Sequence, residues 1–235
     1  VALYTLGKGY CDLYQYDKAI PELEKALEIY KKWGSKPYWV FNYTYLVESY
    51  HKTGLYKKEK KLYKKAEQDF PDDPYLFYYH AILSLTEGDT VTANDYIEKI
   101  MIYVKENSVP ETNRAAGMAS LYSEAGILDK AEGYYRRALS LEPEKAWCLN
   151  NLAYFLIDKD RNVNEGLELI ERALKSDPDN LNYLGCKGWG LYKQGKYKEA
   201  LELLEKYDSL KPVYNHDAFL HLEAVKNAVA RQRNN

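Results

Sequence analysis

Apolar and polar positions alternate along most of this chain with the period of an α-helix. The clearest case is the segment 181–212, where Ala200, Leu201, Leu204 and Tyr207 recur at i, i+1, i+4 and i+7, as on one helix face. A glycine in the middle of the segment permits a tight turn, and a proline at its end cannot donate the next helical hydrogen bond. The pattern therefore predicts two amphipathic helices joined by a short turn.

Weaker copies of this pattern fill nearly all the rest of the chain. The predicted turns between paired helices lie at Tyr14, Gly54, Gly88, Gly126, about residue 160, and Gly195. These positions are 34 to 40 residues apart, a period typical of arrays in which each unit buries its apolar face on its neighbours. The predicted repeats are 1–37, 38–71, 72–110, 111–143, 144–178 and 179–212, followed by a capping helix in 213–235. The capping helix is expected to bury Leu220, Leu222, Val225 and Val229 and to expose Lys226, Asn227 and Arg231.

Small residues recur at one position in the first helix of the predicted repeats. Glycine or alanine stands at 7, 81, 119, 153 and 188, where a small side chain lets two helices approach closely. Two positions depart from the pattern. Tyr14 stands where the first repeat would have its turn glycine, and Glu59 replaces an alanine in the second helix of the second repeat.

Two segments carry a specific family resemblance. KGWGLYKQGKYKEALELLEKY and LYSEAGILDKAEGYYRRALSLEP are similar to tetratricopeptide repeats, and the resemblance extends over nearly the whole chain. It implies an all-α fold, a right-handed α-solenoid of about six helix pairs plus a C-terminal capping helix, forming a single repeat domain over 1–235. It also implies an inner groove that is lined mainly by first helices and usually binds a peptide or protein.

The composition narrows the range of partners. The chain has 33 basic and 35 acidic side chains, so its net charge of −2 gives no general attraction to nucleic acid or to an anionic membrane. No apolar run approaches the ~20 residues that a membrane-spanning helix needs. We therefore expect a soluble protein without membrane insertion, cytoplasmic or, if a leader was removed, periplasmic. The sequence assigns no oligomeric state.

The residues give no support for catalysis or for a metal site. The three cysteines, Cys11, Cys148 and Cys186, are far apart and show no ligand spacing. The loop from Asp158 resembles the start of a calcium loop, but Val163 stands where the sharp turn needs glycine and Leu169 replaces the closing glutamate. We predict no catalytic residues, no metal, no cofactor and no enzymatic activity.

The 25 tyrosines need an explanation, and an aromatic binding groove is one. If one stripe of each first helix packs on its second helix, the adjacent stripe faces the groove. The residues predicted to bind a ligand there are Tyr45, Glu48, Tyr78, Asn150, Asn151, Tyr154, Trp189 and Tyr192. The same offset places Cys11, Thr44 and Ile82 on this surface. Aromatic rings supply contact area at low entropic cost, and the amides can hydrogen-bond an extended peptide. Alternatively, several of these rings pack between first helices.

The predicted function is therefore a non-catalytic scaffold that binds a segment of another protein in an aromatic-lined groove. Two alternatives stay open at this point. The chain is a sensor or regulatory segment of a larger protein, or it binds a small ligand such as a carbohydrate in the same groove. The sequence does not identify the partner.

Overall fold

The computed structural model describes residues 2–211 and 213–234, with backbone alone for the last two of these. The predicted helix end at Pro212 lies outside the described residues. The described part contains thirteen helices and no strand: α1 (Ala2–Asp12), α2 (Tyr16–Lys32), α3 (Phe41–Lys52), α4 (Tyr56–Asp69), α5 (Pro74–Thr86), α6 (Thr90–Glu106), α7 (Glu111–Glu124), α8 (Leu128–Leu141), α9 (Ala146–Asp158), α10 (Val163–Ser176), α11 (Leu181–Lys193), α12 (Tyr197–Leu210) and α13 (His216–Asn234). The prediction of an all-α fold built from six helix pairs and a final helix is confirmed.

Every predicted turn between paired helices contains a residue in the left-handed region. The φ angles are 55° at Tyr14, 71° at Gly54, 79° at Gly88, 75° at Gly126, 51° at Asp160 and 77° at Gly195. Glycine adopts this conformation without steric cost, whereas a side chain at φ > 0 is strained. The turn of the first repeat therefore has the same backbone shape as the others although a tyrosine occupies it.

The chain divides into two compact units. The N-terminal unit runs up to Val109, includes Glu124–Gly126, and contains α1 to α6. The C-terminal unit contains Pro110–Ser123 and the chain from Ile127 onward, with α7 up to its penultimate residue and α8 to α13. The single repeat domain over 1–235 stays a prediction.

Small residues allow the helices of a pair to approach closely, as the sequence predicts. A Cβ atom built on Gly7 would lie 2.6 Å from Leu23 Cγ, and one built on Gly188 would lie 2.9 Å from Leu204 Cγ. Gly190 is equally restricted, because its Cβ would lie 2.7 Å from a methyl group of Leu167. The glycines of α11 are therefore needed for packing against both neighbouring helices.

The glutamate that interrupts the alanine pattern is buried and hydrogen-bonded. Glu59 is fully buried, and its carboxylate accepts a hydrogen bond from the hydroxyl of Tyr63 at 3.2 Å. It also lies 3.2 Å from Nδ1 of His51 on α3. A buried carboxylate requires such partners. The second repeat therefore replaces a close helix contact with a polar contact between its two helices.

The last helix covers the apolar side of α12, as the capping prediction requires. Leu222, Val225 and Val229 are buried in one cluster with Leu204. Lys226, Asn227 and Arg231 are exposed, as expected. The prediction for Leu220 is wrong, since this side chain is 45% exposed. It lies two residues before Leu222, and positions two apart face different sides of a helix.

Candidate functional site

The first helices of the C-terminal unit carry five of the predicted ligand-binding residues. Asn150, Asn151 and Tyr154 lie on α9, and Trp189 and Tyr192 lie on α11, which contacts α9. Asn150, Asn151, Trp189 and Tyr192 are partly buried, while Tyr154 is exposed. These side chains therefore occupy neighbouring helices of one compact unit.

The indole of Trp189 is held in a stack of three rings. Its centroid lies 4.8 Å from the Tyr192 ring and 3.8 Å from the His221 imidazole of α13, with both pairs of planes 10° from parallel. Lys193 Nζ lies 5.2 Å from the indole centroid and forms an ion pair with Asp160 at 2.7 Å. Packing against Tyr192 of the same helix and against His221 of the capping helix therefore accounts for the position of this ring.

Burial affects the charge state of the stacked imidazole. It lowers the pKa of His221, while the negative charges of Asp158 and Asp217 oppose that shift and the positive charge of Lys193 adds to it. The neutral ring is therefore favoured on the face of Trp189. The sequence analysis did not assign a role to His221, because its partner lies on another helix.

Two predicted binding residues hold buried polar atoms that lack partners among the described residues. Trp189 Nε1 and Asn150 Oδ1 are both buried without a hydrogen bond. Leaving such a group unsatisfied costs ~1–3 kcal/mol. The first is a donor and the second is an acceptor. Both atoms are shielded from solvent, so they contact a ligand only after neighbouring side chains move.

The remaining predicted site residues lie in the N-terminal unit. Tyr45 and Glu48 belong to α3, and Tyr78 belongs to α5. The Glu48 carboxylate accepts a hydrogen bond from the Tyr16 hydroxyl at 3.3 Å. Burial raises the pKa of Glu48, and the charge of Lys52 partly offsets this. Glu48 is therefore a desolvated carboxyl group on a first helix.

An apolar cavity of about 420 Å³ lies beside Tyr78. Its lining residues are Pro74, Tyr75, Tyr78, Tyr79, Ile100, Tyr103 and Val104. Of these residues only Tyr78 was predicted from the sequence, because the predicted groove takes a single stripe of α5. Three tyrosines at 75, 78 and 79 follow the i, i+3, i+4 spacing of a helix face, and this spacing was the available signal.

Three residues that were predicted to face the groove are buried. Cys11, Thr44 and Ile82 are 4%, 5% and 3% exposed, so their assignment to the groove is wrong. The Cys11 sulfur lies 3.2 Å from the Ser49 hydroxyl, and the Thr44 hydroxyl donates to the Phe41 carbonyl at 3.5 Å. These side chains are buried because a first helix contacts both its partner and the adjacent first helix.

Three aromatic side chains that the sequence analysis passed over are strongly exposed. Trp33 is 73% exposed, Tyr38 is 78% exposed and Trp39 is 61% exposed. They lie in or beside the connection from α2 to α3, where helical periodicity gives no prediction.

Among the described residues, no group of three or more His, Cys, Asp or Glu side chains is arranged to hold a metal ion. No helix in the described ranges is long and apolar enough to cross a membrane.

Comparison with known proteins agrees with this architecture. Family models described as tetratricopeptide repeat match residues 116–145 and 158–214. A TPR repeat-containing protein of Pseudomonas aeruginosa is 30% identical over 174 residues, which cover 73% of this chain but only 28% of the relative. The photosystem I assembly protein Ycf3 of Prochlorococcus marinus is 24% identical over 130 residues, which cover 50% of this chain and 73% of the relative.

Solved structures share the fold at low sequence identity. A tetratricopeptide repeat protein from Parabacteroides merdae superimposes with a TM-score of 0.55 at 16% identity, covering 95% of this chain and 83% of that one. The chain belongs to the tetratricopeptide repeat proteins. Proteins of this family commonly mediate protein–protein interactions and are generally non-catalytic scaffolds.

Proposed function

We propose that this chain is a non-catalytic interaction scaffold whose first helices bind a peptide or protein segment. In the C-terminal unit the ligand contacts Asn150, Asn151, Tyr154 and the Trp189–Tyr192 pair. In the N-terminal unit, considered by itself, a bound segment contacts Tyr45, Glu48 and Tyr78. No nucleic acid takes part, because the net charge of −2 provides no attraction for phosphates.

One observation carries this proposal. Asn150 Oδ1 needs a donor and Trp189 Nε1 needs an acceptor, and neither finds one among the described residues. The backbone of an extended peptide supplies an N–H and a C=O at every residue other than proline, so it complements this pair once neighbouring side chains move to admit it. Binding would remove the cost of both unsatisfied atoms. The name of the Prochlorococcus relative, an assembly protein, agrees with a role in protein interaction.

The experiment uses peptides selected from a library of random linear sequences on the immobilised protein. Affinity is then measured by fluorescence polarisation for the wild type, Asn150→Ala and Trp189→Phe. Trp189→Phe keeps an aromatic ring on His221 and removes the indole N–H donor together with one of the two fused rings. Each variant should weaken binding about tenfold, the value of one hydrogen bond to a buried group. Circular dichroism should show unchanged helicity and melting.

Matched controls are Asn227→Ala and Trp33→Phe, which change the same residue types at exposed positions. They should leave the affinity unchanged. Unchanged affinity in Asn150→Ala and Trp189→Phe would show that ordered water or another arrangement satisfies these atoms, and it would contradict the proposed site. Failure to select any peptide would contradict the function itself.

A further inference from the structure

Glu48 carries a carboxylate that has no cationic partner among the described residues. Its one hydrogen bond to a described side chain comes from the Tyr16 hydroxyl at 3.3 Å, and no basic side chain of the described residues pairs with it within 4.0 Å. Burial raises the pKa of Glu48, which means that the folded protein penalises the charged form. A nearby lysine, Lys52, reduces this penalty without reversing it.

One tyrosine is hydrogen-bonded to this carboxylate, and two more lie on helices of the same unit. Burial raises the pKa of Tyr79 and of Tyr16, and in both cases the negative charge of Glu48 is the next largest cause. Burial also raises the pKa of Tyr45, the charge of Lys8 opposes this shift, and the negative charges of Asp12 and Glu48 add to it. Glu48 is therefore close to three phenol groups, two of which belong to first helices of the N-terminal unit.

This surface already holds one ammonium group on an aromatic face. Lys8 Nζ lies 5.7 Å from the centroid of the Tyr45 ring and is bound to Asp12 at 2.5 Å. The negative face of an aromatic ring attracts cations, most strongly where water is excluded. The arrangement shows that the environment of Tyr45 accepts a positive charge. Glu48 adds a full negative charge that Lys8 does not neutralise by direct contact.

An apolar cavity adjoins the same group of rings. Tyr79 lies on α5, which contacts the helix that carries Glu48, and it lines the 420 Å³ cavity together with Tyr78. Ile100 and Val104 of α6 supply the aliphatic part of the lining. A ligand that reaches Glu48 therefore has an apolar cavity next to it.

We propose that this surface binds a peptide segment carrying a lysine or arginine side chain, which pairs with Glu48 beside the Tyr45 and Tyr79 rings, and a neighbouring large apolar side chain, which enters the cavity at Tyr78. The inference rests on the proposed function and names the chemistry of its ligand in the N-terminal unit. Charge complementarity selects this partner, because a cation offsets the desolvation of Glu48 whereas an acidic side chain would be repelled by Glu48 and Asp12.

The test selects random linear peptides in parallel on the wild type, on Glu48→Gln and on the control Glu28→Gln. Glu28 is an exposed glutamate of α2 in the same unit. The wild type and Glu28→Gln should enrich a basic residue at a recurring position next to a large apolar one. Glu48→Gln should lose the basic preference and keep the apolar one. This variant preserves the acceptor for Tyr16, so its fold is expected to be intact.

A double-mutant cycle then tests direct contact. A wild-type-selected peptide and its analogue with norleucine in place of the basic residue are titrated against both proteins. Norleucine should weaken binding to the wild type about tenfold or more, as expected for a charge-assisted hydrogen bond, and should have no effect on Glu48→Gln. A Tyr78→Ala variant should reduce the preference for the apolar residue.

The outcomes separate this inference from the function on which it rests. Peptides that bind the wild type without basic enrichment, or basic peptides that bind Glu48→Gln equally well, would overturn the inference and leave the scaffold function intact. If no peptide is selected at all, the result contradicts the proposed scaffold function itself. Selection that depends on Asn150 and Trp189 but not on Glu48 would restrict binding to the C-terminal unit and also overturn the inference.

Discussion

The imidazole of His221 lies face to face on the indole of Trp189, with ring centroids 3.8 Å apart and planes 10° from parallel. The contact joins the last helix pair to the capping helix, since Trp189 belongs to α11 and His221 to α13. It explains why an aromatic residue that looks available for a ligand is held by the protein itself on one face. The indole N–H lies in the ring plane, and it remains without a partner among the described residues.

Because of this stack, we expect the free energy of unfolding to fall in acid. Burial places the pKa of His221 below its ordinary value of 6.5. The folded state therefore resists protonation, and stability is lost as the pH falls below about 6.5 towards the folded pKa. Urea unfolding between neutral and mildly acidic pH should show this loss in the wild type and a smaller one in His221→Gln. An NMR titration that placed the pKa of His221 at or above 6.5 would contradict the prediction.

Two glycines of the last repeat should respond to alanine for different reasons. Gly188→Ala brings a Cβ to 2.9 Å from Leu204 Cγ, and overpacking should cost ~1–2 kcal/mol even after the gain in helix propensity. Gly195→Ala meets no atom within 4 Å but requires φ near +77°, which should cost ~1 kcal/mol. Both values come from urea unfolding.

The background of Leu204→Ala distinguishes the two causes. In that background Gly188→Ala should lose most of its cost, because the two closest atoms, both of the Leu204 side chain, are gone and only Leu203 Cβ at 3.4 Å remains. Gly195→Ala should keep its full cost. If Gly188→Ala were equally destabilising in both backgrounds, the close approach of α11 and α12 would not be the reason for the glycine.

Glu48→Gln should make the protein more stable at neutral pH. Burial raises the folded pKa of Glu48 above the ordinary 4.5, so the wild type loses stability as the pH rises from about 4.5 through that folded pKa. Glutamine carries no charge and avoids this loss, while it keeps an acceptor for Tyr16. The difference in unfolding free energy should be near zero in acid and positive at pH 7. Equal stability of variant and wild type at pH 7 would argue against a desolvated carboxylate.

Glu59→Ala restores the alanine usual in these repeats and should nevertheless destabilise the protein. The change leaves the Tyr63 hydroxyl and the His51 imidazole without their carboxylate, and an unpaired buried group costs ~1–3 kcal/mol. Glu59→Gln keeps an acceptor for Tyr63 and should cost less. Chemical denaturation of the two variants side by side gives the comparison. A more stable alanine variant would mean that close helix packing outweighs the polar contact.

The sequence predicted the repeat pattern well, including its exceptions. All the turns were placed correctly, and the turn at Tyr14 keeps the left-handed backbone without glycine. The sequence also predicted that small residues such as Gly188 mark close helix contacts. The binding surface was predicted less well. Thr44 and Ile82 were assigned to it and are buried, while Tyr79 was missed although it lines the cavity.

By itself, the sequence determined what depends on neighbours along the chain. A helix, its end and the turn to its partner follow from periodicity, from backbone conformations open to glycine and from the missing donor of proline, all of which act within a few residues. Only the tertiary structure decided which side chains meet across helices. Three features depend on the rotation and spacing of packed helices. They are the stack of His221 on Trp189, the burial of Glu59 against His51 and the position of Glu48 near tyrosines. The spacing of residues along one helix does not contain that information, because each first helix is in contact with more than one neighbour.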